Sequence, residues 1–321
     1  MATRQPPTTW QLAQVHLQVQ LLRLAAWVGT LGKPASHAFP PTRELSIPSS
    51  DGRRRIKLLI FDPPNSTPGP QPVYINFHGS GFIQPSLGVD GRLLTCIARE
   101  AGCIVVDGDY RKAPEHPFPA PYEDAFRVVA WVLENTDGQF DVSRVAVGGV
   151  SAGANLALAV VVNMPPNTIK GVSVIVPAID FTVPYAQRRA PPDMPEAHKK
   201  EPDRGGPIPP ALGELMQAAY LGRWTNTKDP RLSPNCGDMT RFPGGQTVFI
   251  ASAEYDYLDE EAKSLKDQLV EAGKDPVYMH VEGMGHGYVT TNESDTAAAA
   301  RRDETFAKVV ETLRRAFDLA V

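Results

Sequence analysis

The feature that most constrains this chain is a repeated exchange, from about residue 43 onward, of short apolar runs with helical runs. The strand-like runs are 56–62, 73–79, 103–110, 144–150, 171–180, 246–252 and 276–283. Between them, 91–100, 121–135, 152–163, 259–272 and 296–318 carry the helical spacing of apolar residues. The interior runs are almost continuously apolar, as in strands covered on both faces. Strand–helix alternation implies right-handed crossovers, hence an α/β protein with a mostly parallel central sheet flanked by helices. Ligands in such sheets bind at the carboxyl ends of the strands.

Two segments break the rhythm. Residues 10–28 recur at helical spacing through Leu12, Val15, Val19, Leu22 and Ala26, with Leu17, Leu21, Leu24 and Val28 widening the stripe. This helix either packs on the body or covers a pocket. Its polar positions are mostly Gln rather than Lys or Arg, which disfavours a membrane-surface helix. Residues 181–230 are rich in proline, carry the charged run 196–204, and contain a helical piece at 210–224. A long irregular stretch of this kind inside a compact domain is usually a lid or an insertion. The expected organisation is an N-terminal cap helix region (1–42), a core (43–180 and 231–321) and a cap insertion (181–230).

Composition narrows the function classes. The chain has 321 residues, a formal net charge of −4, and 42% apolar residues, ordinary values for a globular enzyme. No basic stripe points to nucleic acid. No apolar run approaches the ~18 residues of a membrane span. Cys96, Cys103 and Cys236 form neither a metal spacing nor an even framework. The expectation is a cytoplasmic protein without stable membrane insertion.

Residues 149–153 read Gly-Val-Ser-Ala-Gly, between an apolar strand run and a helical run. That strand–turn–helix setting is what a nucleophile elbow needs. Gly149 and Gly153 fit a turn too tight for a Cβ, and Ser151 sits at a helix N-terminus, where developing negative charge is favoured. The plain alternative is a helix start with Ser151 as its N-cap. Upstream, His78-Gly-Ser-Gly-Phe82 directly follows a strand run. A loop so poor in side chains leaves backbone N–H groups free to face a carbonyl oxygen, and the N–H of Ala152 completes such a set.

A serine hydroxyl also needs a base. Of the histidines 16, 37, 78, 116, 198, 280 and 286, His286 lies in a glycine-rich loop after the last strand run. That position fits the chain order Ser, then acid, then His. The acid should follow the 246–252 run. Asp256 lies just past the strand, with Glu254 the next candidate. Asp259 and Glu260 fall in a first helical turn, where acids commonly suit the helix dipole.

Together HGSGF (78–82), DYRKAPEHPFPAPYEDA (109–125), GVSAGANLA (149–157), EYDYLDE (254–260) and GMGHGY (283–288) resemble the hormone-sensitive-lipase-like, HGGG-type esterases of the α/β-hydrolase fold. The resemblance spans about residues 56–290. It implies an α/β-hydrolase core with a helical cap, a triad of Ser151, Asp256 and His286, and an oxyanion hole from the N–H groups of Ser80, Gly81 and Ala152. His78 would then shape its loop. Three positions depart from the family pattern: HGSG replaces HGGG, so the Ser80 hydroxyl enters the hole region; Val150 replaces Asp; and Tyr257 replaces Pro. Phe82, Val150 and Tyr257 are the candidate substrate contacts, and Trp27, Tyr185, Tyr220 and Trp224 are further aromatics that either line a pocket or fill the core.

The expected activity is hydrolysis of a carboxylic ester of a small, fairly apolar molecule through an acyl-enzyme, with no cofactor and no metal. Acyl transfer, cyclisation or lyase chemistry by the same triad is the alternative. A non-catalytic small-molecule receptor is a third. A homodimer is compatible with the family.

Overall fold

A computed structural model describes residues 4–30, 39–65, 68–200, 204–290 and 296–319. His37, and parts of the segments 1–42, 181–230 and 196–204, lie outside the described residues.

The strands are β1 (Arg43–Pro48), β2 (Arg55–Phe61), β3 (Gln71–Phe77), β4 (Ile104–Gly108), β5 (Phe140–Val150), β6 (Gly171–Ile175), β7 (Val248–Tyr255) and β8 (Val277–Gly285). The helices are α1 (Thr9–Thr30), α2 (Gly91–Glu100), α3 (Ala120–Glu134), α4 (Ala152–Asn163), α5 (Glu196–Lys199), α6 (Pro210–Leu221), α7 (Asp259–Glu271) and α8 (Thr296–Ala316). The strands form one sheet in the order β1-β2-β4-β3-β5-β6-β7-β8. β2 is antiparallel to both its neighbours, and every pairing from β4 across to β8 is parallel. The mostly parallel sheet expected from the alternation is therefore present. β1 is an addition: it is a mostly exposed edge strand, and its sequence, RELSIP, has too few apolar residues to stand out.

The interior strands are apolar throughout because both faces are covered. On one face Val73, Ile75, Phe77, Val145 and Val147 pack with Val128 and Val132 of α3, Leu156 and Val160 of α4, and Leu265 and Leu269 of α7. On the other, Tyr74, Val105, Ala146 and Phe249 pack with Leu93, Leu94 and Ile97 of α2, with Phe306, Val309 and Leu313 of α8, and with Phe317 just after it.

The strand order also says where a site can form. From β3 the chain steps outward to β4, then returns past β3 to β5 on its other side. The loops after β3 and β5 thus leave in opposite directions and open a crevice between them. The HGSG loop follows β3 and Ser151 follows β5.

Over this end of the sheet lies the 181–230 segment. It contains a 3-10 turn at Tyr185–Gln187, the short α5, and α6, which packs on both that turn and α1. α1 begins with a reciprocal cap: Gln11 N–H donates to Thr8 Oγ1 (3.2 Å), and Thr8 N–H donates to Gln11 Oε1 (2.8 Å).

β5 and α4 approach β3 so closely that a Cβ on Gly153 would lie 1.7 Å from the Phe77 carbonyl oxygen. Gly153→Ala should therefore cost more than about 3 kcal/mol through forced separation of these backbones. Chemical denaturation of the purified variant, or its loss from the soluble fraction, checks this.

Candidate active site

The turn after β5 is strained. Ser151 has φ 55° and ψ −115°, in a region that side-chain-bearing residues rarely occupy. Its N–H is held by the Ile175 carbonyl (2.9 Å), and its own carbonyl accepts from Asn155 N–H (3.1 Å). The side chain makes no capping bond to α4. Instead Ser151 Oγ lies 2.8 Å from His286 Nε2. The N-cap alternative is thereby excluded for this side chain.

His286 Nδ1 lies 2.7 Å from Asp256 Oδ2, and Asp256 is 2% exposed. The ionised carboxylate can only accept, so Nδ1 carries the hydrogen and Nε2 is left to accept from the serine hydroxyl. The other Asp256 oxygen accepts from Leu258 N–H (3.2 Å). The other candidates are occupied elsewhere. Glu254 accepts from Gly283 N–H (2.7 Å), Asp259 pairs with Lys263 (2.7 Å), and Glu260 contacts Lys263 and Arg189 (both 3.3 Å). His280 faces Ser252 and Asp259. His78 is fully buried and stacked on Tyr110, and burial pushes its imidazole well below the usual range, so it is neutral.

The HGSG loop is held by a relay of hydrogen bonds. Phe82 N–H donates to Ser80 Oγ (2.9 Å), Ser80 Oγ lies 2.7 Å from Tyr110 Oη, and Tyr110 Oη donates to the His78 carbonyl (2.6 Å). Since the phenol gives its single hydrogen to His78, the Ser80 hydroxyl donates to the phenol. The added side chain at residue 80 therefore braces its own loop. Among the described residues no acceptor meets the N–H groups of Ser80, Gly81 or Ala152.

Beneath the loop, the Gly79 N–H faces the buried Asp90 carboxylate and favours its charged form. Asn76 Nδ2 bridges Asp90 (3.3 Å) and Asp107 (2.8 Å), and Asp107 also accepts from Gly88 N–H (3.1 Å). Burial raises both carboxyls, Asp107 the further because it also faces Asp90's charge. Two carboxylates this deep do not ionise together.

Ser151 opens on a small cavity of about 40 Å³ bordered by Gly81, Phe82, Ala152, Phe181, Tyr185 and Met216, among others. Met216 of α6 lies against Gly81: a Cβ there would fall 2.5 Å from its sulfur. Of the sequence candidates, Phe82 and Tyr185 border this space. Val150 is buried under the loop beside Gly79, and Tyr257 packs against Tyr185. Tyr220 is fully buried and stacked on Phe82 (3.6 Å between centroids), Trp224 packs on Phe118, and Trp27 is 60% exposed.

Two bordering features escaped sequence reasoning. Met216 is one. The other is Arg188, which borders the cavity and whose Nε lies 2.7 Å from Glu261 Oε1, with side chains only 7% and 11% exposed. Nε does not point at that oxygen well enough for a hydrogen bond, so the contact is an ion pair. Glu261 Oε2 accepts from the N–H groups of Ile179 (2.7 Å) and Asp180 (3.1 Å), and Arg188 Nη2 donates to the Asp180 carbonyl (2.8 Å). Burial pushes the Glu261 carboxyl up to about 7, against the pull of Arg188. Glu261 follows four other acids in the stretch 254–260, and nothing local marks it as the buried one.

This fold and crevice define an α/β hydrolase, and comparison with known proteins agrees. A family profile described as α/β-hydrolase fold matches residues 74–290. The chain is 29% identical to the carboxylic ester hydrolase LipN of Mycobacterium tuberculosis over 88% of its length and 73% of that protein. It is 28% identical to versiconal hemiacetal acetate esterase of Dothistroma septosporum, covering 79% and 76% of the two chains. Among solved structures, a bacterial heroin esterase superposes with a TM-score of 0.73 at 27% identity, covering 93% and 92%. The chain belongs to the hormone-sensitive-lipase-like esterase family of α/β hydrolases, and it is a carboxylic ester hydrolase. Among the described residues no helix is long and apolar enough to cross a membrane.

Removing the Tyr110 hydroxyl frees both the His78 carbonyl and the Ser80 hydroxyl. Tyr110→Phe should lower kcat about tenfold with little change in KM, as for a group one step behind the reacting atoms. Steady-state kinetics on a 4-nitrophenyl ester measure the split.

Proposed function

We propose that Ser151 is the nucleophile, His286 the general base and Asp256 the orienting carboxylate of an esterase that acts on small, fairly apolar esters. The observation that carries this reading is the unbroken chain from Ser151 Oγ through His286 to Asp256, opening on a cavity beside unengaged amides.

The chemistry follows from the positions. His286 Nε2 takes the hydroxyl proton as Ser151 Oγ bonds to the ester carbonyl carbon. The carbonyl oxygen gains negative charge and accepts from the N–H groups of Ser80, Gly81 and Ala152, with the last at the positive end of α4. The imidazolium, facing Asp256, returns the proton to the leaving alcohol as the C–O bond breaks. Water, deprotonated by the same nitrogen, then attacks the acyl-enzyme, and the carboxylic acid leaves as Ser151 recovers its proton.

Substrate size follows from the space. A cavity of about 40 Å³ is far below the ~300 Å³ of an ordinary ligand site and admits only a group of a few heavy atoms. A short acyl group fits, and the acetate in the name of the Dothistroma relative is such a group. The 181–230 segment and α1 act as the cap. Met216 is the side chain that sets how much of a chain enters, because it lies between α6 and Gly81.

Ser151→Ala should remove the burst of chromogenic alcohol and lower kcat by roughly 10⁴-fold or more, and Asp256→Asn should lower it by a similar factor. Burst retention in Ser151→Ala would take the serine out of the mechanism. Met216→Ala should raise kcat/KM for a hexanoate ester relative to the acetate by roughly tenfold or more. An unchanged ratio on a graded ester panel would remove Met216 from acyl selection.

A further inference from the structure

Helix α1 has two apolar faces. The inner one packs on the body: Val19 is fully buried beside Ile83, Ala113 and Ala219, with Val15 and Leu22 packed on the same cluster together with Leu215 and Met216 of α6. Polar bonds lock that docking. Arg23 donates to the carbonyls of Ile83 (2.8 Å) and Ala113 (2.7 Å) and pairs with Glu115 (2.6 Å), and Gln20 also donates to Glu115. The outer face is turned away from the body, and its large side chains stay exposed: Trp10 72%, Leu17 61%, Leu21 55%, Leu24 53% and Val28 52%.

The spacing on that outer face is specific. From Trp10 the steps to Leu17, Leu21, Leu24 and Val28 are seven, four, three and four residues. A 4-3-4 pattern is the seam of paired helices, with the intervening position, Gln14, a single polar residue in the line. At 1.5 Å per residue the seam runs for about 27 Å. Its flanks are Gln11, Ala13, Gln18, Gln20, Ala25 and Trp27, with no charge to repel a second identical helix.

We propose that α1 is the surface through which a second copy of this chain docks, seam against seam about a two-fold axis. Such an axis lays the same stripe on itself, which is what an isologous contact requires. The five exposed side chains offer roughly 500 Å² per copy, so about 1,000 Å² for the pair, at the threshold of a stable interface. Charge decides against a lipid surface: α1 carries one arginine and no lysine, and that arginine is spent on Glu115, so nothing on the seam attracts anionic headgroups. The inner face of the same helix rests on Met216, so the seam and the Ser151 cavity lie on opposite sides of that contact and pairing leaves the cavity unobstructed.

The test is sedimentation equilibrium of the full-length protein at micromolar concentration, alongside the double variant Leu21→Glu/Leu24→Glu. The expected result is a wild-type species of twice 34.9 kDa and a double variant of 34.9 kDa. The variant should keep the wild-type melting temperature and the burst on a 4-nitrophenyl ester, which separates loss of pairing from loss of fold and from any failure of the proposed triad. A wild type that sediments as a monomer, or a double variant that stays dimeric, overturns the proposal. So does a monomeric wild type that floats with phosphatidylcholine vesicles while the double variant does not, since the occupant is then a lipid surface.

Discussion

The site depends on how near two backbones come. β5 and the start of α4 lie against the end of β3, with the Phe77 carbonyl occupying the volume that a side chain at 149 or 153 would need. Because the approach is so close, the turn between β5 and α4 has no room to relax, and Ser151 is held at φ 55°. The strain is local, and the cooperative core around it sustains it: Val147, Ile75, Leu156 and Val160 are all fully buried. The same approach sets the HGSG loop beside the serine, since that loop is the direct continuation of β3. One packing constraint thus fixes both Ser151 and the amides beside it.

A second layer of polar contacts keeps the amides aimed. A loop so poor in side chains is free to face a carbonyl but is equally free to move. Here Tyr110 ties the His78 carbonyl and the Ser80 hydroxyl, and Ser86 Oγ donates to the Gly79 carbonyl (2.7 Å). Beneath the loop Asn76 bridges the buried carboxyls of Asp90 and Asp107, and two carboxylates so close and so dry do not ionise together.

Much of this was legible in the sequence because it is local. The strand–turn–helix around Ser151, the HGSG loop and the glycine-rich loop of His286 each carry their meaning within a few residues. Asp256, the carboxylate that meets His286, is marked by its position just after a strand, and Glu254, the next candidate, is committed to Gly283. What stayed hidden is made of distant partners. Arg188 and Glu261 are 73 residues apart, and Met216 meets Gly81 across 135 residues, with no spacing to announce either contact. Strand ends shifted for backbone reasons: the run 171–180 stops at Ile175 because Val176 takes φ 44° and leaves the sheet. The amphipathic reading of residues 10–28 had the inner face right, and the wider stripe noted there turned out to be a separate outer face.

The segment over the crevice is not an independent roof. Its Gly206 carbonyl accepts from the His286 backbone N–H (3.2 Å), and Gly205 lies against the backbone of Gly287. Through Met216 it also touches Gly81 on the opposite side of the serine. It therefore contacts the His286 loop and the HGSG loop at once, while Arg188 within it is paired to Glu261 at the start of α7, five residues after Asp256. Any outward swing that admits a larger ester must break a hydrogen bond to the histidine loop and separate a buried ion pair, whose partners would each lose their compensation. The contacts that narrow the cavity are thus made to the same loops that carry Ser80, Gly81 and His286, so the size of the cavity and the alignment of those residues cannot vary separately.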